Sequence, residues 1–258
     1  MTQKFVRILA AVAVFATGAA AAAADQLRWG YDLAPFPPWN SRSPAGEWSG
    51  FDYDIMEALC THMQADCEIV EIAWDGMIPA LQANKIDIIW TGMSITPQRE
   101  EVIDFSDRYR RGPAAYIAET EMDLPISVEG FQGKSVGIKK ATNFYTYFEH
   151  YYGDAATVKL YDTTDDIIAD LSSGRLDVAM GDILELQRFL DSPDGDMYEM
   201  KGVTPVDPLL GKGAGAGIRQ GDTALQDRLN TALKEIRDNG EYDAIAKKYF
   251  NFDPYGSD

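Results

Sequence analysis

Apolar positions change their period repeatedly along the chain, and the changes mark out alternating strands and helices. Residues 26–30 read as a strand, and Phe51, Ile55, Leu59 and Met63 recur every four residues, which predicts a helix. Residues 67–72 form a short β-branched strand, and 75–83 a helix with Met77, Ile78 and Leu81 on one side. The apolar run 86–90, bounded by Lys85 and Gly92, has the character of a buried parallel strand. Thr96 can cap the next helix, and Pro97 suits its first position. Residues 102–105 and 114–118 look extended.

The pattern then restarts. Strands are predicted over 134–138, 158–161 and 176–180, and helices over 143–151, 164–171 and 183–190. Residues 211–218 form a glycine-alternating extended segment. Leu225, Leu229, Ala232, Leu233 and Ile236 mark a long amphipathic helix, and 242–249 another. Such strand–helix repeats predict parallel α/β sheets with right-handed crossovers. No long Pro/Ser linker interrupts them, so two lobes would have to be joined by ordinary strands.

Composition narrows the class. With 258 residues, 46% hydrophobic and 25% charged, the chain has ordinary globular composition and room for one large domain or two small ones. Lys and Arg number 23 against 41 Asp and Glu, a net charge of −18. Lys4 and Arg7 are the only charges before Asp25, so the rest carries −20. Such a surface repels phosphate backbones and anionic membranes, which excludes a nucleic-acid binder. Lys4 and Arg7, the apolar stretch 8–16 and the alanines ending at Ala24 form an export signal with a small-residue cleavage site. The competing reading is a membrane anchor, but 8–24 offers only 17 mainly apolar residues. No cysteine follows the cleavage site, so no lipid anchor is expected there. The expectation is a signal peptide over 1–24 and a soluble, periplasmic mature chain.

Cys60 and Cys67 suit that oxidising compartment. A metal site would need more ligands than nearby His62. A disulfide tying a helix end to the next strand is expected, stabilising at the modest end of about 2–4 kcal/mol because its loop is short.

Three segments carry a resemblance: Gly50-Phe51-Asp52-Tyr53-Asp54-Ile55, Ser94-Ile95-Thr96-Pro97-Gln98-Arg99, and Gly240-Glu241-Tyr242 with Lys247-Lys248-Tyr249-Phe250. Each resembles the polar amino-acid-binding proteins that serve bacterial ABC importers, most closely the lysine/arginine/ornithine and histidine binders. The resemblance implies a type II periplasmic binding protein fold: two α/β lobes joined by two crossing strands, with the ligand between them. Lobe one would comprise 25–111 and 213–258, and lobe two 112–212. No cofactor, metal ion or catalytic residue is expected. The implied partners are an amino acid and, transiently, an ABC permease in the inner membrane, with the receptor a monomer.

The resemblance also assigns a site. Arg99 would hold the ligand's α-carboxylate through its guanidinium fork, and Asp182, at a strand end before a helix, its α-ammonium. The bland alternatives are a surface arginine paired with Glu100 or Glu101, and a plain helix cap. Thr91, Gly92 and Ser94 correspond to the family's polar loop, although Gly92 stands where a serine is usual. Thr142 and Asn143 open a helix whose amides suit a carboxylate. Trp74 and Phe36 match two aromatic positions that sandwich the ligand side chain, leaving Trp39 structural. Asp32 falls near the family acid that reads a distal cation. Lys139 departs from the apolar residue of the basic-ligand binders. With Lys140 it reads as a solvated pair; turned inward, it would pair Asp32 or receive an acidic ligand.

The expected function is a periplasmic receptor for a polar, cationic L-amino acid. The alternatives are a cyclohexadienyl dehydratase-like enzyme on the same fold, and a receptor for an opine or an acidic or neutral amino acid. A sensory ligand-binding module is disfavoured by the lack of a later membrane segment or kinase region. Gly92-Met93-Ser94-Ile95-Thr96 is one glycine short of a nucleophile elbow. Gly211 to Ala216 loosely fits a dinucleotide fingerprint, but no helix is predicted to start within it.

Overall fold

The computed structural model describes residues 25–256. The expected signal segment, 1–24, lies outside the described residues. Lobe one begins with β1 (Gln26–Asp32), a short hairpin of β2 (Ser41–Arg42) and β3 (Trp48–Ser49), and α1 (Phe51–Met63). It continues through β4 (Asp66–Ile72), α2 (Met77–Gln82), β5 (Ile88–Ile89), α3 (Pro97–Glu100) and β6 (Asp104–Phe105). Lobe two contains β7 (Ala114–Glu119), α4 (Val128–Phe131), β8 (Ser135–Lys139), α5 (Asn143–Tyr152) and β9 (Thr157–Tyr161). It is completed by α6 (Thr164–Ser172), β10 (Val178–Asp182), α7 (Ile183–Leu190) and β11 (Tyr198–Val203). The chain then returns to the first sheet as β12 (Gly217–Ile218), followed by α8 (Thr223–Asp238) and α9 (Glu241–Tyr249).

Each lobe is built on a five-stranded sheet, in the orders β4-β1-β5-β12-β6 and β11-β7-β10-β8-β9. The sheets are mixed, where the strand–helix repeats predict parallel ones. β12 runs antiparallel to β5 and β6, and β7 antiparallel to β10 and β11. The cause is the double crossing. The strand that enters each lobe from a crossing, β12 in lobe one and β7 in lobe two, runs against those laid down by its own crossovers, whereas the departing strands β6 and β11 run with them. The two crossing segments pair with each other, Tyr109 N donating to Ala214 O at 2.9 Å and Ala214 N to Arg110 O at 2.8 Å.

Three elements escape the periodicity reading: the hairpin, α4 and β11. β11 is an edge strand whose register shifts between Met200 and Gly202, which breaks its alternation. The hairpin strands are only two residues each. The helix expected from residue 75 starts at Met77, after a single 3₁₀ turn at Trp74–Gly76.

The apolar run before Gly92 feeds both faces of its sheet. Ile88 and Trp90 join a core formed with α1, α8 and α9, whereas Ile89 joins one with Met77 and Leu81 of α2. Burying each such side chain is worth about 1.5–3 kcal/mol. Trp90 stacks on Tyr109 of the outgoing crossing at 4.0 Å, so the hinge is anchored directly in that core. Gly50 allows the chain to turn tightly into α1: at φ 121° a Cβ would lie 2.4 Å from Trp39 O. Only glycine fits there.

Cys60, near the end of α1, is bonded to Cys67 at the start of β4, as expected. His62 beside it bridges Glu235 of α8 and Glu241 of α9, each at 2.9 Å. These hydrogen bonds, Glu241's first, raise the His62 pKa above its usual value. The raised value means that stability from this clamp is fully present below about pH 6.5 and is lost as pH rises through the folded-state pKa. His62→Gln should therefore lower the midpoint of chemical denaturation near pH 6, by at most about 1 kcal/mol for so exposed a cluster, and leave it unchanged near pH 9. An equal effect at both values would show that the clamp does not depend on the imidazolium.

Candidate functional site

Where the crossings pass between the lobes, a charged pair is buried. Arg110, on the outgoing crossing, donates Nε to Asp52 Oδ1 at 2.9 Å and Nη2 to Asp52 Oδ2 at 3.2 Å. Both residues are essentially inaccessible. Burial alone pushes the Asp52 carboxyl up, and the guanidinium pulls it back down. Asp52 in turn holds the desolvated Arg110 in its charged form. The guanidinium also lies 3.6 Å from the centre of the Trp39 ring. Arg110 Nη1 makes no hydrogen bond to the described residues, and Arg110 lines a cleft between the lobes.

The cleft holds about 750 Å³ of non-atom space, part of it open to solvent. Lobe one contributes Asp32 at the end of β1, Phe36 beyond it, Trp74, and the loop residues Thr91, Gly92 and Ser94. Thr91 Oγ1 accepts from Asp32 N at 3.3 Å. Gly92 departs from serine for a steric reason. At φ +71° its Cβ would come 2.1 Å from Arg110 Nη2, so the guanidinium occupies the side-chain space at that position.

Lobe two contributes Lys139, Thr142, Asn143 and Phe144 from the β8–α5 turn, and Thr164, Asp182 and Glu185 from the starts of α6 and α7. Asp182 caps α7, its Oδ1 accepting from Leu184 N at 2.9 Å and Glu185 N at 3.4 Å. Trp39 Nε1 reaches the same oxygen across the cleft at 3.4 Å. Oδ2 is left facing the cleft above Gly112, whose Cβ position lies 2.7 Å from it and 3.1 Å from Arg110 Nη1. Burial raises the Asp182 pKa, with Arg110 opposing. Thr142 Oγ1 caps α5 by accepting from Tyr145 N, and Asn143 Nδ2 donates to Leu210 O at 2.7 Å. The Thr142 hydroxyl and the Asn143 amide nitrogen are committed to structure, so a ligand would meet the backbone here first.

Arg99 sits behind the wall rather than among the residues lining the cleft. It donates Nη1 to Ser94 O at 2.9 Å and Nη2 to Ala141 O at 3.4 Å, linking the two polar loops. Burial lowers its pKa to about 10. It pairs with neither Glu100 nor Glu101 among the described residues; Glu100 faces Lys212. The Ala141 carbonyl also accepts from Trp74 Nε1 at 3.1 Å, and Ala141 itself adopts φ +56°, a left-handed conformation that glycine takes more readily.

The reading of Lys139 and Lys140 as a solvated pair holds for only one of them. Lys140 lies outside, between Asp75 at 2.9 Å and Asp162 at 2.5 Å. Lys139 enters the cleft and binds Asp32 Oδ2 at 2.5 Å, with Trp74 beneath it at 5.4 Å. The two differ because successive residues at the end of a strand point to opposite faces. Asp32 Oδ1 accepts from Ala34 N, so both of its oxygens are engaged.

Sequence reasoning missed Arg110, Glu185 and Thr164. Arg110 is hidden in the run Arg108-Tyr109-Arg110-Arg111, which resembles a solvated stretch; its one signal is the missing side chain at Gly92, eighteen residues earlier. Glu185 follows Asp182 by three positions and shares a helical face with buried Leu186 and Phe189.

A model of the bacterial extracellular solute-binding proteins, family 3, matches residues 27–252. The histidine-binding periplasmic protein of Escherichia coli K12 is 36% identical over 98% of this chain and 99% of its own. The L-arginine-binding protein of Pseudomonas aeruginosa is 34% identical over 99% and 100%. An ancestral arginine-binding protein bound to arginine superposes with a TM-score of 0.80, at 31% identity over 88% of this chain and 98% of that one.

The Gly92–Arg110 contact is testable by stability alone. Gly92→Ala adds a Cβ at positive φ against a buried, ion-paired guanidinium, and should cost about 2–4 kcal/mol in urea unfolding. An unchanged midpoint would mean that Arg110 does not occupy the space described.

Proposed function

The chain is a member of family 3 of the bacterial extracellular solute-binding proteins, and from that we propose that it is the periplasmic capture subunit of an ABC importer for a polar, cationic L-amino acid. The observation that carries this is the division of charge across the cleft. Among the described residues, one oxygen of Asp182 is unengaged and faces in from lobe two, and a buried arginine, Arg99, has no carboxylate partner and backs the loops at Ser94 and Ala141. In this reading Asp182 receives the α-ammonium. Arg99 exchanges its long contact with Ala141 O for the ligand's α-carboxylate, assisted by the amides at the start of α5. Ser94 Oγ, which has no partner among the described residues, completes the polar ring. Phe36 and Trp74 flank the side chain. The relatives named for histidine and L-arginine support an amino-acid ligand.

We take residues 25–111 with 213–258, and 112–212, as the two moving bodies, with the paired crossings at Arg110 and Ala214 as the hinge between them. The closed form would be the one recognised by the permease. The segment 1–24 acts as the export signal and is removed at Ala24, leaving a monomeric receptor in the periplasm.

One observation favours a second reading. Two cations, Arg110 and Lys139, line the cleft, and they would suit an acidic side chain or an opine carboxylate. Each already has a carboxylate of its own, Asp52 and Asp32, which is why the cationic reading is preferred.

Calorimetry on the mature protein should show arginine, lysine, ornithine or histidine binding more tightly than glutamate, aspartate or leucine. Arg99→Ala should weaken the best of them by about 2–5 kcal/mol, a loss of about 30-fold or more. Glutamate as the tightest ligand would support the second reading. Undiminished binding by Arg99→Ala would remove that residue from the site. Turnover of prephenate or arogenate would replace the receptor reading with an enzyme.

A further inference from the structure

One acid on the cleft wall is unassigned by that reading. Glu185, in the first turn of α7, is nine-tenths buried and lines the cleft. Its Oε2 accepts from Thr164 Oγ1 of α6 at 2.9 Å, and no cation pairs with its carboxylate among the described residues. The spacing Asp182-Ile183-Leu184-Glu185 has the form of a capping box, in which Glu185 would reach back to the amide of residue 182. It instead turns toward Thr164 and the cleft. A buried carboxyl with a single hydroxyl partner leaves hydrogen-bonding capacity unmet, which is costly if packing is its only purpose.

Charge accounting points the same way. Arg110 is answered by Asp52 and Lys139 by Asp32. Asp182 and Arg99 are taken by the zwitterion in the reading above. Only Glu185 remains on the wall to meet a charge on the ligand's side chain. We propose that Glu185, held by Thr164, is the specificity-determining residue that receives the cationic end of that side chain. The inference rests on the cationic amino-acid reading and moves the distal contact from Asp32 to lobe two, so that the side chain too is gripped by the lobe that closes.

A consequence follows for protons. Glu185 faces Asp182 and Arg188 on its own helix, Thr164 on α6 and Lys139 from β8, with Asp32 behind Lys139. Burial and the neighbouring Asp182 push its pKa up to about 8, against weaker pulls from Lys139 and Arg188. The empty site then holds a proton on Glu185 at pH 7, and a bound cation expels it.

The test titrates L-arginine, L-lysine, L-histidine and L-glutamine into wild type and Glu185→Gln at pH 7, in two buffers of different ionisation heat. Glutamine carries the same α-groups without the side-chain charge. Wild type should release nearly one proton on binding arginine or lysine, whereas histidine, its imidazole mostly neutral at pH 7, takes up that proton and releases almost none. Glu185→Gln should release none and lose about tenfold or more in affinity for it, while glutamine changes less than about threefold. Wild-type affinity and proton release in Glu185→Gln would overturn the proposal and leave the receptor reading intact. If wild type binds none of the three basic amino acids, that reading fails and the proposal with it. Where the variant is unstable or glutamine binds too weakly to measure, the wild-type proton count for arginine and lysine decides: a cation received by Glu185 lowers its pKa and must release a proton somewhere between about pH 4 and 9, so binding without release throughout that range overturns the assignment.

Discussion

A buried arginine that has to be neutralised organises the centre of this molecule. Arg110 lies on the segment that carries the chain out of lobe one, and its charge is met by Asp52 at the start of α1. An ion pair so far from water persists only when geometry and further contacts offset the lost hydration. The bidentate contact, the face of Trp39 and the room left by Gly92 supply them. Trp39 then reaches Asp182 in the other lobe, and Arg110 Nη1 faces the same carboxylate across Gly112. One pair thus ties together the hinge, the cleft floor and the acid of the opposite wall. Removing Arg110 would leave Asp52 buried without its partner, to be protonated or to carry an uncompensated charge.

The contacts that hold the lobes together are of a different kind. Lys139 with Asp32, Lys140 with Asp75, Trp74 and Arg99 with the Ala141 carbonyl, and Trp39 with Asp182 are polar and few, and Leu184 of α7 adds one apolar contact to the core of lobe one. The exposed Lys140–Asp75 pair is screened by solvent and contributes little. Water can replace such contacts at small net cost, so an open form is accessible. A ligand that touches both walls shifts the population toward closure through its contacts with the closed form alone. The core of lobe one is built separately from these polar contacts, with α1, α8 and α9 packed on one sheet.

The sequence announces the fold through local signals. Four-residue spacing in α1, the apolar run before Gly92 and the Thr96–Pro97 helix start each appear where their short-range physics dictates. β11 was not legible, because its alternation is broken by a register shift at an edge. The mixed sense of the sheets was not legible either, since it depends on the chain crossing twice. In the cleft, most of the residues picked out by motif line one cavity, while Arg99 lies just behind its wall. Arg110 and Glu185 were hidden because their meaning is relational. The first requires knowing that Asp52 is buried beside it, and the second that Thr164, from another helix, draws it inward. The direction of Lys139 could not be read, because adjacent lysines at a strand end look alike until the strand's face is known.

Capture of one zwitterion with a cationic side chain is tested most directly by native mass spectrometry of protein purified rapidly from its export compartment, without dialysis. The mature chain should carry a single small adduct, identified on release as a basic amino acid. An adduct identified as an acidic amino acid, an opine or a molecule with no amino group would contradict it.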